Sequence, residues 1–125
     1  MKLTRSKGFS LIEVMIALVI LAVALLALAG LMITTTKNTS FGGHMTEAAT
    51  FAQDKLEQLR ASPWTGIIAG ADPPLVGATG ISYARSWTVD ANPTGDQRWV
   101  TVTIIWTDPT AKSTHRINVR SVVSQ

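Results

Sequence analysis

No cysteine occurs in the 125 residues, so no disulfide can close a loop or staple a small core. An oxidising compartment permits such bridges without requiring them, and the absence leaves the compartment open. Charge of one sign is also scarce. Eleven basic side chains oppose eight acidic ones, and Lys2, Arg5 and Lys7 account for the whole excess. The rest of the chain has no net positive charge of the kind that binds nucleic acid. The chain contains no internal repeat and no low-complexity tail. It has no nucleophile elbow and no phosphate-binding glycine loop. His44 and His115 stand apart from any carboxylate at metal-ligand spacing and read as surface or sheet-face residues. These absences point away from an enzyme, from a cofactor and from a nucleic-acid binder.

The positive signals begin at the N-terminus. A basic leader, Met1 to Lys7, reaches Gly8, and then comes Phe9-Ser10-Leu11-Ile12-Glu13-Val14. Behind it, Val14 to Ile33 gives about twenty residues without a charge, enough to cross a hydrocarbon core of ~30 Å. Glu13 is the one carboxylate inside this apolar stretch. A charge there costs roughly 2.5–3.5 kcal/mol at mid-helix and less near an end, so Glu13 calls for a partner. Three plainer readings compete. Glu13 snorkels to the interface and the segment is a single-span anchor. The segment is a secretory signal peptide, with Ala27-Leu28-Ala29 before Gly30 as its cleavage site. Or it is the core helix of a soluble domain. The apolar run continues past Gly30 through Leu31, Met32 and Ile33, which speaks against the second. Its length speaks against the third.

The sequence from the leader through Gly8, Phe9 and Glu13 into the apolar run resembles the N-terminus of type IV prepilins and type II secretion pseudopilins. The resemblance implies an α+β fold, with a long N-terminal helix packed on a small antiparallel sheet. It implies that a membrane-embedded prepilin peptidase cleaves after Gly8 and N-methylates Phe9. The apolar helix then packs in a filament core, and Glu13 pairs with the N-terminal amine of Phe9 on a neighbouring subunit. That pairing provides the compensation a buried charge requires. Many relatives close a C-terminal loop with a disulfide, and this chain departs from that habit.

The chain divides into a leader, 1–8; a transmembrane or filament-core helix, 9–33; an amphipathic continuation, 34–61; and a loop with antiparallel strands, 62–125. If unbroken, the helix from 9 to about 61 would span roughly 78 Å at 1.5 Å per residue. Its first half is apolar on all sides, which suits lipid and then neighbouring helices. Ala17, Ala22, Ala24, Ala27, Ala29 and Gly30 keep parts of that surface small. Thr34 to Gly43 is poor helix, each Gly costing about 1 kcal/mol relative to Ala, so a bend, frayed turn or stretchable segment is expected there or near Gly30. Met45, Ala49, Ala52, Leu56 and Leu59 then share one face, while Glu47, Asp54, Glu57 and Gln58 lie largely elsewhere. Ser62-Pro63 ends the helix.

Residues 62–80 read as a loop. Alternation of period two predicts three strands beyond it, 81–90, 98–107 and 115–123. Ile81, Tyr83, Arg85, Trp87 and Val89 share one face, as do Val100, Val102, Ile104 and Trp106, and His115, Ile117, Val119 and Val123. Turns at 91–96 and 108–112 separate the strands. Such a meander leaves an edge that something must cover or blunt. Trp87 and Trp106 belong to the core on this pattern, Trp99 faces the other way, and Trp64 is placed to cap the core. Asp90 to Asp96 resembles the first half of a calcium loop, but the twelfth position is Thr101 rather than a bidentate Glu, and a hairpin turn accounts for the same residues.

Within the family, the apolar run and the Ser86–Val89 and Val100–Asp108 strands look most like PilV-type minor pilins. That resemblance implies a non-enzymatic minor pilin precursor in the bacterial inner membrane, its N-terminus cytoplasmic as the basic leader orients it and its globular part periplasmic. Its partners would be the peptidase, other minor and major pilins and the inner-membrane assembly machinery. Its task would be to prime or build a pilus near the tip. The alternatives are an I-type minor pseudopilin of type II secretion and, in another class, a membrane-anchored or secreted ligand-binding β-domain.

Overall fold

The computed structural model describes residues 8–109 and 112–125, so the leader's basic residues and part of the 108–112 turn lie outside the described residues. One helix, α1 (Leu11–Ala61), is followed by a 3₁₀ turn (Trp64–Gly66) and five strands: β1 (Gly70–Ala71), β2 (Leu75–Val76), β3 (Ser82–Ala91), β4 (Gln97–Thr107) and β5 (Thr114–Ser124). The expected α+β architecture of a long N-terminal helix and a small antiparallel sheet is present. The chain forms two compact units, one ending at Ser40 and the other spanning Phe41–Gln125.

In the first unit the helix is apolar and uncovered. Its large side chains from Leu11 to Ile33 are all exposed, and none of its most apolar window is buried within the chain's own fold. The expected frayed turn is not there: α1 includes Gly30, Gly42 and Gly43 without interruption. The threonines are accommodated without a break. Thr34, Thr35, Thr36 and Thr39 each donate a hydroxyl hydrogen bond to the carbonyl four residues earlier, at 2.9–3.2 Å. Their polar groups are satisfied by the helix itself. Propagation adds one bond per residue once a helix is nucleated, so three glycines within a long helix do not stop it.

In the second unit the end of α1 packs on the sheet. The buried face is His44, Ala48, Ala52, Lys55, Leu56 and Leu59. This corrects the expected stripe at its start: Met45 is exposed and Ala49 half-buried. The hydrophobic pattern could not place it, because two members are a His and a Lys and the deciding residues are small alanines. The sheet side of the core is Ile81, Tyr83, Val100, Val102, Ile104 and Trp106, with Ile67 from the loop.

Strand order is β1-β3-β4-β5, with β2 also on β3, and every pairing is antiparallel. Registry sets Tyr83 beside Trp106 and Val89 beside Val100, then Val102 beside Val119 and Ile104 beside Ile117. The three long strands fall where alternation put them. The supposed loop 62–80 is a correction, since it contains the 3₁₀ turn and two short strands that cover one edge of β3. Two residues are too few to display a period of two. Gly70 is required there, because a Cβ on it would lie 2.8 Å from the Trp87 ring.

Candidate functional site

Gly8, Phe9 and Ser10 precede α1 as exposed chain without regular structure, and Phe9 is 83% exposed. The Ser10 carbonyl accepts hydrogen bonds from the Glu13 and Val14 amides at 3.0 and 3.2 Å, which starts the helix. Glu13 therefore sits in the first turn, where a carboxylate complements the positive end of the helix dipole. Phe9 and Glu13 line one shallow apolar depression with Val14, Ala17, Leu18 and Leu21. Among the described residues Glu13 forms no ion pair. Gly8 has open space on its side-chain side. The three residues singled out in the sequence thus sit together, exposed, at the start of an uncovered apolar helix.

The polar chemistry of the second unit is largely hidden from the sequence. His44 is buried rather than at the surface, a correction that stems from its place on the α1 face against the sheet. Its Nδ1 lies 3.4 Å from the Tyr83 hydroxyl. That hydroxyl donates to Glu47 Oε2 at 2.7 Å, and the Ala78 amide donates to Glu47 Oε1 at 2.6 Å. The Ala78 and Tyr83 hydrogen bonds hold the Glu47 carboxyl below the usual carboxylate range. Burial first, and then the Glu47 carboxylate, push the Tyr83 hydroxyl well above its ordinary value.

A second cluster centres on Asp72. Its Oδ2 accepts from Lys55 Nζ at 2.9 Å, from Arg85 Nε at 2.8 Å and from Arg85 Nη2 at 2.5 Å. Arg85 also donates to the Phe51 carbonyl at 3.0 Å. Burial of Asp72 opposes its ionisation, but the hydrogen bonds and charges of Lys55 and Arg85 prevail and hold it low. Lys55 further lies 4.2 Å from the centroid of the Trp87 ring. The signal available in the sequence is Arg85, a charge on an otherwise apolar strand face. Both clusters tie α1 to the loop and sheet, which is a structural duty.

The tryptophans divide as the alternation requires. Trp106 is buried, Trp87 and Trp64 are half-buried against the core, and Trp99 is exposed. Arg98 fixes the 3₁₀ turn by donating to the carbonyls of Trp64 and Ile67 at 2.5 and 2.6 Å. Residues 91–96 form the β3–β4 hairpin turn. The Asn92 amide donates to Gln97 and the Gly95 amide to Asn92, while Thr94 hydrogen-bonds Asp96. Gly95 supplies a positive φ of 75°, which glycine adopts without steric cost. Among the described residues no three His, Cys, Asp or Glu side chains gather as a metal site.

Residues 3–29 match the family model of the prokaryotic N-terminal methylation motif. The match takes in Gly8, Phe9, Glu13 and most of the apolar run, and it supports a type IV pilin or pseudopilin precursor anchored in the inner membrane. No curated protein and no solved structure matches the chain significantly.

Proposed function

We propose that the chain is the precursor of a minor pilin. Prepilin peptidase cuts after Gly8 on the cytoplasmic side and methylates the new N-terminus, Phe9. Residues 9–33 hold the subunit in the inner membrane with the globular part in the periplasm. On assembly the same helix moves into a filament core, where Glu13 meets the Phe9 amine of a neighbouring subunit. The subunit joins other minor pilins in a complex that primes a pilus at or near its tip.

The observation that carries this reading is Glu13, ionisable and without an ion-pair partner among the described residues, in an apolar helix that the rest of the chain does not cover. An intramembrane carboxylate is expensive unless paired, and a second subunit's amine provides the pair. Anchors and signal peptides have no use for a carboxylate at this distance behind Gly8-Phe9.

The test is intact mass and N-terminal sequencing after co-expression with the peptidase. The expected product begins at methylated Phe9. A chain that still begins at Met1, or begins at Gly30, overturns the proposal in favour of an anchored or secreted β-domain. The type II secretion alternative shares the same maturation. Co-purification separates the two: recovery with pseudopilins rather than with pilus subunits would assign the chain to secretion.

A further inference from the structure

The sheet ends on one side in an uncovered strand. β3 has β1 and β2 along its outer edge, whereas β5 is the last strand in the order. Over Thr114–Ser124, alternate backbone N–H and C=O groups therefore point away from the sheet. Edges of this length are usually blunted by a proline, a bulge or an inward-pointing charge. β5 has no proline, and its two charges, Arg116 and Arg120, lie on the exposed, outward face.

Among the described residues neither arginine forms an ion pair with a carboxylate. Among the described residues the ion pairs all involve Lys55 or Arg85. Arg120 instead stacks on the Trp99 ring, 4.4 Å from its centroid. Glu57 lines the same cleft as Arg120 without pairing with it, and neither β4 nor β5 contains an acidic residue. On the other face of β5, Ile117 and Val119 are only half-buried. Their neighbours across the strand pair, Ile104 and Val102, are 0% exposed. The edge thus combines open backbone positions, a half-covered apolar row and two unpaired cations four residues apart.

We propose that β5 is an interaction edge that accepts an added strand from another protein. That strand carries carboxylates four residues apart on one face and apolar residues on the other. Its carboxylates stand directly across from Arg116 and Arg120, at cross-strand Cβ separations of about 4.5–5.5 Å. Its apolar residues complete the cover over Ile117 and Val119. The backbone supplies affinity and the side chains supply choice. A second copy of the chain is a poor occupant. Two-fold antiparallel pairing about Val119 sets Arg120 opposite Asn118 and Arg116 opposite Val122. All four guanidinium groups then crowd one face in diagonal positions, where like charges destabilise. The inference does not depend on how the N-terminus is processed.

The full chain in detergent micelles can be tested with a synthetic strand peptide of alternating Val and Thr, with Glu at two outward positions four residues apart. A control peptide has Lys at those positions. The Glu peptide is expected to bind about tenfold more tightly than the Lys peptide and to slow amide hydrogen exchange across residues 114–124. The exposed double variant Arg116→Glu/Arg120→Glu should reverse the preference. The proposal is overturned if the Glu peptide fails to bind, if it binds without protecting β5, if the variant keeps the original preference, or if the chain self-associates through β5.

Discussion

Asp72 receives two cations on one oxygen, and the consequence is a definite response to acid. Its carboxyl and that of Glu47 are both held below the usual range. A carboxyl with a depressed folded pKa binds fewer protons folded than unfolded. Its contribution is therefore complete above its unfolded value, near about 4, and is lost as pH falls through the lower folded value. The midpoint of thermal unfolding should be level near neutrality and drop below about pH 4. Asp72→Asn leaves Lys55 and Arg85 without their shared counter-charge. The expected loss at neutral pH is about 2–4 kcal/mol, below the fully buried case because Asp72 is partly exposed. Denaturant unfolding followed by circular dichroism would show it, and an unchanged midpoint would contradict the role given to this cluster. Glu13 makes the opposite demand. Glu13→Ala should leave membrane insertion intact or improve it, since the burial cost disappears, while incorporation into pili falls. Unchanged co-purification with partner subunits would sink the proposed pairing. The N-terminal motif that the family model matches could be read from the sequence because Gly8 to Glu13 are six adjacent residues. Asp72 could not, because its partners come from a helix before it and a strand after it, and no local spacing in the sequence links the three.

Elements differ in how openly the sequence declares them. β3, β4 and β5 are each ten or eleven residues long and repeat their alternation enough to be recognised. β1 and β2 are two residues each, and their ladder partner is β3. Gly70 is the position where this pairing can be measured. The Trp87 ring occupies the space a Cβ would need, and its Nε1 donates to the Ile68 carbonyl at 2.7 Å. Gly70→Ala should displace either β1 or Trp87, at about 1–3 kcal/mol, with a shift in tryptophan emission. If neither stability nor emission changes, the close fit is not a constraint. α1 shows the complementary failure. Its length was legible, but its buried face was misplaced at Met45 because Ala48 carries little hydrophobic signal and His44 and Lys55 carry the wrong one.

At the scale of the whole molecule, burial is confined to one part of the chain. The buried residues run from His44 to Trp106, and none belongs to the apolar helix before Ser40. Residues 41–125 expressed alone should therefore fold as a soluble unit with the same unfolding midpoint as the full chain. The full chain should stay with membranes after alkaline extraction, and the shortened one should be released. A shortened chain that aggregates or lacks a cooperative transition would show that the apolar helix contributes to folding as well as anchorage. The overall plan was legible because a run of unbroken hydrophobicity and a run of alternation are both long-range signals. The joints between helix, loop and sheet were not, since they depend on single polar atoms.

Tyr83 is the only tyrosine in the chain, and its hydroxyl is both buried and bonded to a carboxylate. In the folded protein it keeps its proton well into the alkaline range, whereas an unfolded tyrosine releases it near about pH 10. The sign is opposite to that of the acids: this group favours unfolding once the pH passes about 10, because only the unfolded chain then gives up the proton. Phenolate absorbance in mild alkali would therefore come only from molecules that have opened. The protein carries its own optical counter of the unfolded fraction, with no label attached.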